Sequence, residues 1–230
     1  LLPGVGFDVV PTDCLAAHVA RRLPTATQLS IAFRNEGPPS LPPGTANTML
    51  ETGASESSKL HRVDGEIVEA PERLRREIDF GSGPVEAVLR TWGDIYLAEK
   101  STGIPNVTNY LVLGRRAEQQ VDRLERLGPL LRFGPVRRLI RSQIPTGSSP
   151  ERRAAASTHV WAEATDPDGG RAVSLLSGPE AGLEWTRIAA LDVVARVLAG
   201  EAPPGHHTPS TAYGPDLVLD APGVVREDVD

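Results

Sequence analysis

Asp8, Thr12 and Asp13 gather at one point of this 230-residue chain, behind a Gly4-Val5-Gly6 turn and at the start of an apolar-periodic segment. Pro11 falls where a first helical turn accepts proline, since no backbone donor is needed there and its φ is already set. Leu15, Ala16, Val19, Ala20 and Leu23 follow at helical spacing, and Arg21, Arg22 and Pro24 close the run. A glycine turn entering a helix collects free N–H groups and the positive end of a dipole, beside backbone that can approach a ligand closely. The plainer reading is a connector, with Asp8, Thr12 and Asp13 serving as caps. Asp13, Lys100 and Tyr110 are the candidate proton donors. Lys100 is one of two lysines among 22 arginines, and a lysine's pKa moves readily on burial; the competing reading is a surface ammonium beside Glu99. For Tyr110 the preferred reading is a core residue with a satisfied hydroxyl.

Other chemistries find no pattern. After Gly4-x-Gly6 the third glycine of a dinucleotide fingerprint would fall at Val9, and Gly81-x-Gly83 meets Glu86 where it needs glycine. His18, His61 and His159 are scattered, and His206 and His207 lack a spaced carboxylate or cysteine, so no metal set is expected. G-x-S-x-G and a phosphate loop ending in GK[ST] are both missing, which leaves hydrolase and nucleotide-triphosphatase readings without a motif.

The elements that must hold these residues can be read in order. Gln28 to Phe33 alternates like a half-buried strand, prolines 38, 39, 42 and 43 make an extended loop, and a helix plausible from Gly44-Thr45 carries Thr48, Met49 and Leu50. Asp64-Gly65 marks a hairpin over 62–68, and Gly81-Ser82-Gly83-Pro84 joins strands around Ile78-Asp79-Phe80 and Val85 to Leu89. Trp92 to Lys100 reads as a short helix. Ile104 to Leu113 reads as a strand with Asn106, Thr108 and Tyr110 on one face, suited either to a polar cavity wall or to an exposed sheet face. Gln119 to Ile144 reads as short amphipathic helices. Ser157 to Ala164 and Ala172 to Leu176 flank a second hairpin turn, Leu183 to Ala199 is a helix with an Ile188, Leu191, Val194, Ala195, Leu198 stripe, and Leu217 to Leu219 is a short strand.

The length suits one domain over 1–230 with a sizeable core, and 40% hydrophobic with 23% charged residues is a globular composition. No apolar run approaches the roughly 20 residues of a membrane span. The lone Cys14 excludes an internal disulfide and points to a reducing cytoplasm. A net charge of −6 argues against a dedicated nucleic-acid binder. That charge is uneven: Arg115 to Arg153 carries ten arginines and four acids, net +6, leaving −12 elsewhere. Solvated arginines on a helical layer are the preferred reading of this segment; the sharper one docks an acyl-carrier group or a membrane surface.

PGVGFDVVPTDCLA resembles the signature that opens the second domain of the saccharopine dehydrogenase-like oxidoreductases, nearest in wording to the branch with the trans-acting enoyl reductases. GTANTMLE (44–51), IDFGSGPVEAVLRTWGDIYLAEKSTGIPNVTNY (78–110), SGPEAG (177–182) and HTPSTAYGPDL (207–217) resemble that family in the same order. The resemblance implies the second, substrate-binding and dimerisation domain of a Rossmann-type enzyme. Its N-terminal nucleotide-binding half is expected in a longer protein, because position 1 is Leu. The expected fold is α/β or α+β, a mixed, largely antiparallel sheet covered on one side by the first helix, Gln119 to Ile144 and Leu183 to Ala199. The resemblance further implies NADP or NAD bound mainly by the other half, with Gly4, Gly6, Phe7, Asp8 and Thr12 closing over the nicotinamide end. Thr45, Thr48, Thr102 and Asn106 are the substrate-side candidates. Hydride transfer to the C=C bond of an acyl substrate is the first choice, C=N reduction the sibling reaction, and a non-catalytic lipid- or partner-binding module the competing class.

Overall fold

The structure is a computed structural model that describes residues 1–38, 42–52, 59–115, 117–119, 123, 133–142 and 147–229, with backbone alone over 48–52 and at 137. The first helix, α1 (Val10–Arg22), is followed by β1 (Gln28–Glu36), α2 (Pro43–Thr52), the hairpin β2 (Leu60–Val63) and β3 (Glu66–Glu69), and the hairpin β4 (Arg75–Asp79) and β5 (Pro84–Leu89). Then come α3 (Asp94–Thr102), β6 (Asn106–Leu111), α4 (Gly134–Arg141), α5 (Pro150–Ala154), β7 (Ser157–Thr165) and β8 (Arg171–Pro179). A π-helical turn (Ala181–Trp185) leads into α6 (Thr186–Leu198), and α7 (Pro209–Tyr213), a 3-10 turn (Leu217–Asp220) and β9 (Val225–Val229) finish the chain.

The nine strands form one sheet in the order β3-β2-β6-β1-β7-β8-β9, with β5 on β6 and β4 on β5. Among the described residues β1 and β6 are the parallel pair and every other pairing is antiparallel. This is the mixed, largely antiparallel α/β architecture read from the strand patterns. Both hairpins lie where their turn residues put them, with Asp64 and Gly65 at φ 49° and 84°.

The two sheet faces bury separate clusters. On the helix face Leu29, Ile31, Phe33, Val107, Val160 and Leu176 pack against Phe7, Leu15, Val19 and Trp185. On the other face Ala32, Tyr110, Trp161, Val173 and Leu175 lie under Ile78, Phe80 and Ala87 of the β4–β5 hairpin. Arg76 lies 4.9 Å over the Trp161 ring and pairs with Glu163, itself buried.

Two expectations need correction, and a third lies mostly outside the described residues. In α6 the stripe Leu191, Val194, Ala195, Leu198 faces outward, with Leu191 60% and Leu198 83% exposed. Trp185 fills the core at the end of the π turn and sets the helix phase, so residues four and eight places later, Ala189 and Val193, turn inward. Leu217 to Leu219 is helical: Leu217 and Val218 pack into the core, and β9 supplies the strand on β8. Most of Gln119 to Ile144 lies outside the described residues. Its described helix, α4, meets α2, with Arg141 Nε donating to Asn47 Oδ1 (2.8 Å), and leaves Phe133 and Leu139 exposed.

Candidate functional site at the start of the first helix

Gly6 O accepts from both Val9 N (3.2 Å) and Val10 N (2.9 Å), and Pro11 has no N–H, so much of the donor set expected at this helix start is closed locally. Neither Gly4 nor Gly6 takes a positive φ. Space explains them instead: a Cβ on Gly4 would come within 2.4 Å of Val9 Cγ2, and one on Gly6 within 3.2 Å of Thr186 Cγ2. Phe7 turns inward, edge-on to Phe33 (5.8 Å) and tilted against Trp185 (5.4 Å). Its N–H donates to Thr186 Oγ1 (3.3 Å), and the Thr186 hydroxyl donates to Ala181 O (2.8 Å). The SGPEAG turn is thereby tied to the GVGFD turn. Asp8 keeps an exposed flank, although the protein crowds its carboxyl enough for desolvation to raise the pKa.

Below this corner lies a buried polar centre. Asp94, first residue of α3, accepts from Thr12 Oγ1 (2.6 Å) at one carboxylate oxygen and from Asn109 Nδ2 (2.6 Å) at the other. Asp13 accepts the Ser210 N–H (2.7 Å), which docks the start of α7 on α1. All four side chains are buried. Burial pushes Asp94 up to about 7, with the Asp13 charge adding to it and the Thr12 and Asn109 bonds opposing. Burial also raises Asp13, against the hydrogen-bonding groups of Ser101, Ser210 and Thr208. Asp13 Oδ1 and Asn109 Oδ1 are buried with no hydrogen-bond donor among the described residues. The Asn109 acceptor has a use once Asp94 holds a proton: the amide turned over would receive the carboxyl O–H. The centre can therefore hold or release one proton near neutral pH.

The structure brings Thr12 and Asp13 together with Asp94 and Asn109, two residues that no sequence motif marks. It does not bring the three proton-donor candidates together. Lys100, at the end of α3, sits 2.7 Å from His206 Nδ1 at the surface. Tyr110 lies on the opposite sheet face, where burial raises its pKa. Thr102 Oγ1 donates to Ala98 O (2.6 Å) and accepts from Ile104 N (3.1 Å). Asn106 donates to Thr27 O and accepts from Asp64 N, so both are engaged in holding local backbone. Thr45 is exposed in α2, and the Thr48 side chain lies outside the described residues. Cys14 is fully buried, and desolvation drives its thiol pKa well up.

Beside the glycine turn runs a groove of about 350 Å³ between the chain start and α6. Leu1, Leu2, Val5, Val194, Val197 and Leu198 line it, and His207 is the one strongly polar side chain in its wall. No helix among the described residues is long and apolar enough to cross a membrane.

No protein-family model matches the chain, and no curated protein matches it. Among solved structures it is similar to the apo histidine-tagged saccharopine dehydrogenase (L-Glu forming) from Saccharomyces cerevisiae, with a TM-score of 0.54 at 10% identity. The match covers 98% of this chain and 73% of the yeast chain. At that identity the likeness is one of fold, and the chain has a saccharopine dehydrogenase-like fold over nearly its whole length.

Proposed function

We propose that this chain is the substrate-side domain of an NAD(P)-dependent oxidoreductase that reduces the C=C bond of an acyl substrate. The shared fold and the ordered sequence motifs support the oxidoreductase part of this reading. The acyl substrate rests on the groove beside Val5, whose lining is almost wholly aliphatic. A wall of that kind gains free energy by removing hydrocarbon from water and offers only His207 to pair with a charged amino acid.

The residues at the glycine turn do not fit a nucleotide's phosphates. The helix amides close on Gly6 O, and the exposed carboxyl of Asp8 would repel an anion. In this reading another domain carries NADP or NAD. The half-exposed edge of Gly4 to Gly6 forms the near wall of the crevice. The buried centre of Asp13, Asp94, Thr12 and Asn109 holds α1, α3 and α7 in register behind that wall.

The test is displacement of a fluorescent fatty-acyl probe from the purified chain by decanoyl thioester. Decanoyl thioester is expected to displace the probe far better than acetyl thioester, and Val194→Glu, inside the groove, is expected to abolish the difference. Equal displacement by both esters would remove the acyl assignment. Probe binding without NAD(P)H-dependent reduction by the protein carrying the nucleotide-binding part would favour a non-catalytic lipid-binding module.

A further inference from the structure

On the sheet face away from α1, three adjacent strands place Glu36, His159 and Ser177 side by side. Ser177 is the cross-strand partner of His159 in the β7–β8 ladder, and Arg34, two residues before Glu36, is its partner in the β1–β7 ladder. His159 Nδ1 lies 2.8 Å from Ser177 Oγ, and Nε2 lies 3.6 Å from Glu36 Oε2. With the imidazole proton on Nε2, the side facing the Glu36 carboxylate, Nδ1 is left to accept the Ser177 O–H. Arg34 holds Glu36 from the other side (2.8 Å) and donates to Ser82 Oγ in the β4–β5 turn (2.9 Å). Ser157 Oγ, 3.5 Å from Nε2, is a further polar neighbour among the described residues. Ser177 and His159 are half-buried, so the pair is held by its neighbours yet open to a reagent.

We propose that Ser177 is an acylatable nucleophile, with His159 as its base and Glu36 as the positioning carboxylate. The arrangement has the roles of a serine–histidine–carboxylate triad with the two ring nitrogens exchanged. Oγ attacks the carbonyl carbon of an activated ester or thioester while its proton passes to Nδ1. The C–O or C–S bond of the leaving group breaks, and that group departs with the proton. Water then hydrolyses the acyl-serine through the same base. Rigid strands carry all three residues, which no sequence motif announces because 141 positions separate the first from the last. Ser177 and His159 are only half-exposed on this face, so the substrate class is small acyl esters.

The experiment treats the protein with p-nitrophenyl acetate, following p-nitrophenolate release and locating the acetyl group by peptide mass spectrometry. An adduct on Ser177 is expected, with release about 10²-fold slower in Ser177→Ala and in His159→Gln. Glu36→Gln should lower the rate while leaving the melting temperature within a degree or so of wild type. Release at the wild-type rate from Ser177→Ala, or an adduct confined to lysines, would overturn the proposal. If His159→Gln fails to fold, Ser177→Ala and Glu36→Gln still decide it.

Discussion

Asp94→Asn isolates the buried proton. In the unfolded chain the Asp94 carboxyl titrates near 3.8, and in the folded chain near 7. Because the native pKa is the higher one, the folded state holds this proton over a range where the unfolded state has released it. Stability is therefore lost as pH rises between the two values. Three pKa units correspond to about 4 kcal/mol in all, of which about 3 kcal/mol develops between about pH 5 and about pH 8.5. For a chain of this size that is roughly 6–10 °C of melting temperature. The substituted amide carries no charge at any pH. Its oxygen accepts from Thr12, and its NH₂ reaches Asn109 Oδ1 once that amide turns over, which satisfies an acceptor left bare in wild type. The assay is a pair of thermal melts across this pH range, read as variant minus wild type so that other titrations largely cancel. The gap should widen in favour of Asp94→Asn as pH rises. A constant gap, or wild type gaining on the variant at alkaline pH, would refute a buried carboxyl with a raised pKa.

Gly178→Ala would drive a Cβ to 2.7 Å from the Trp185 ring, whose side chain is fully buried, and should cost roughly 1–3 kcal/mol in urea unfolding. Trp185→Ala removes the side chain that phases α6 and should cost about 3–5 kcal/mol, enough to be read by calorimetry. Within α6, Val193→Ala should cost roughly 2 kcal/mol, whereas Leu191→Glu, on the outward stripe, should leave the melt within about 0.5 kcal/mol of wild type. Glu163→Ala strips Arg76 and Arg171 of a shared buried carboxylate and should destabilise by about 2 kcal/mol, with Glu163→Gln recovering part of it.

Local signals carried the strands and turns. Asp64-Gly65 and Asp166 to Gly170 dictate their hairpins, since the first supplies positive φ and Asp166 Oδ1 accepts from the Asp168 and Gly170 amides within its own turn. The rotation of α6 was not legible, because its sequence is apolar on several sides and the deciding residue, Trp185, belongs to the preceding π turn. Leu217 to Leu219 failed for a related reason: a three-residue apolar run has no period. At the site, Asp13 and Thr12 stood out by motif, yet their partner Asp94 comes from a helix 82 residues on from Thr12. Asn109 did leave a trace. It occupies the apolar side of β6 between Val107 and Leu111, and a polar side chain there needs a buried partner. Gly4 and Gly6 stood out by their spacing, and packing gives a reason for them that the spacing did not show: a Cβ on either would press on Val9 or Thr186.

Hydride tracing tests the central claim most directly. The protein carrying the nucleotide-binding part is given NADPH deuterated at the transferable position together with trans-2-decenoyl thioester, and the product is examined by mass spectrometry. Deuterium on the acyl chain, at a rate that falls when Val194→Glu is introduced into the groove, is the predicted result. Oxidation of the nicotinamide with no deuterium in the acyl product, or incorporation indifferent to the groove substitution, would contradict it.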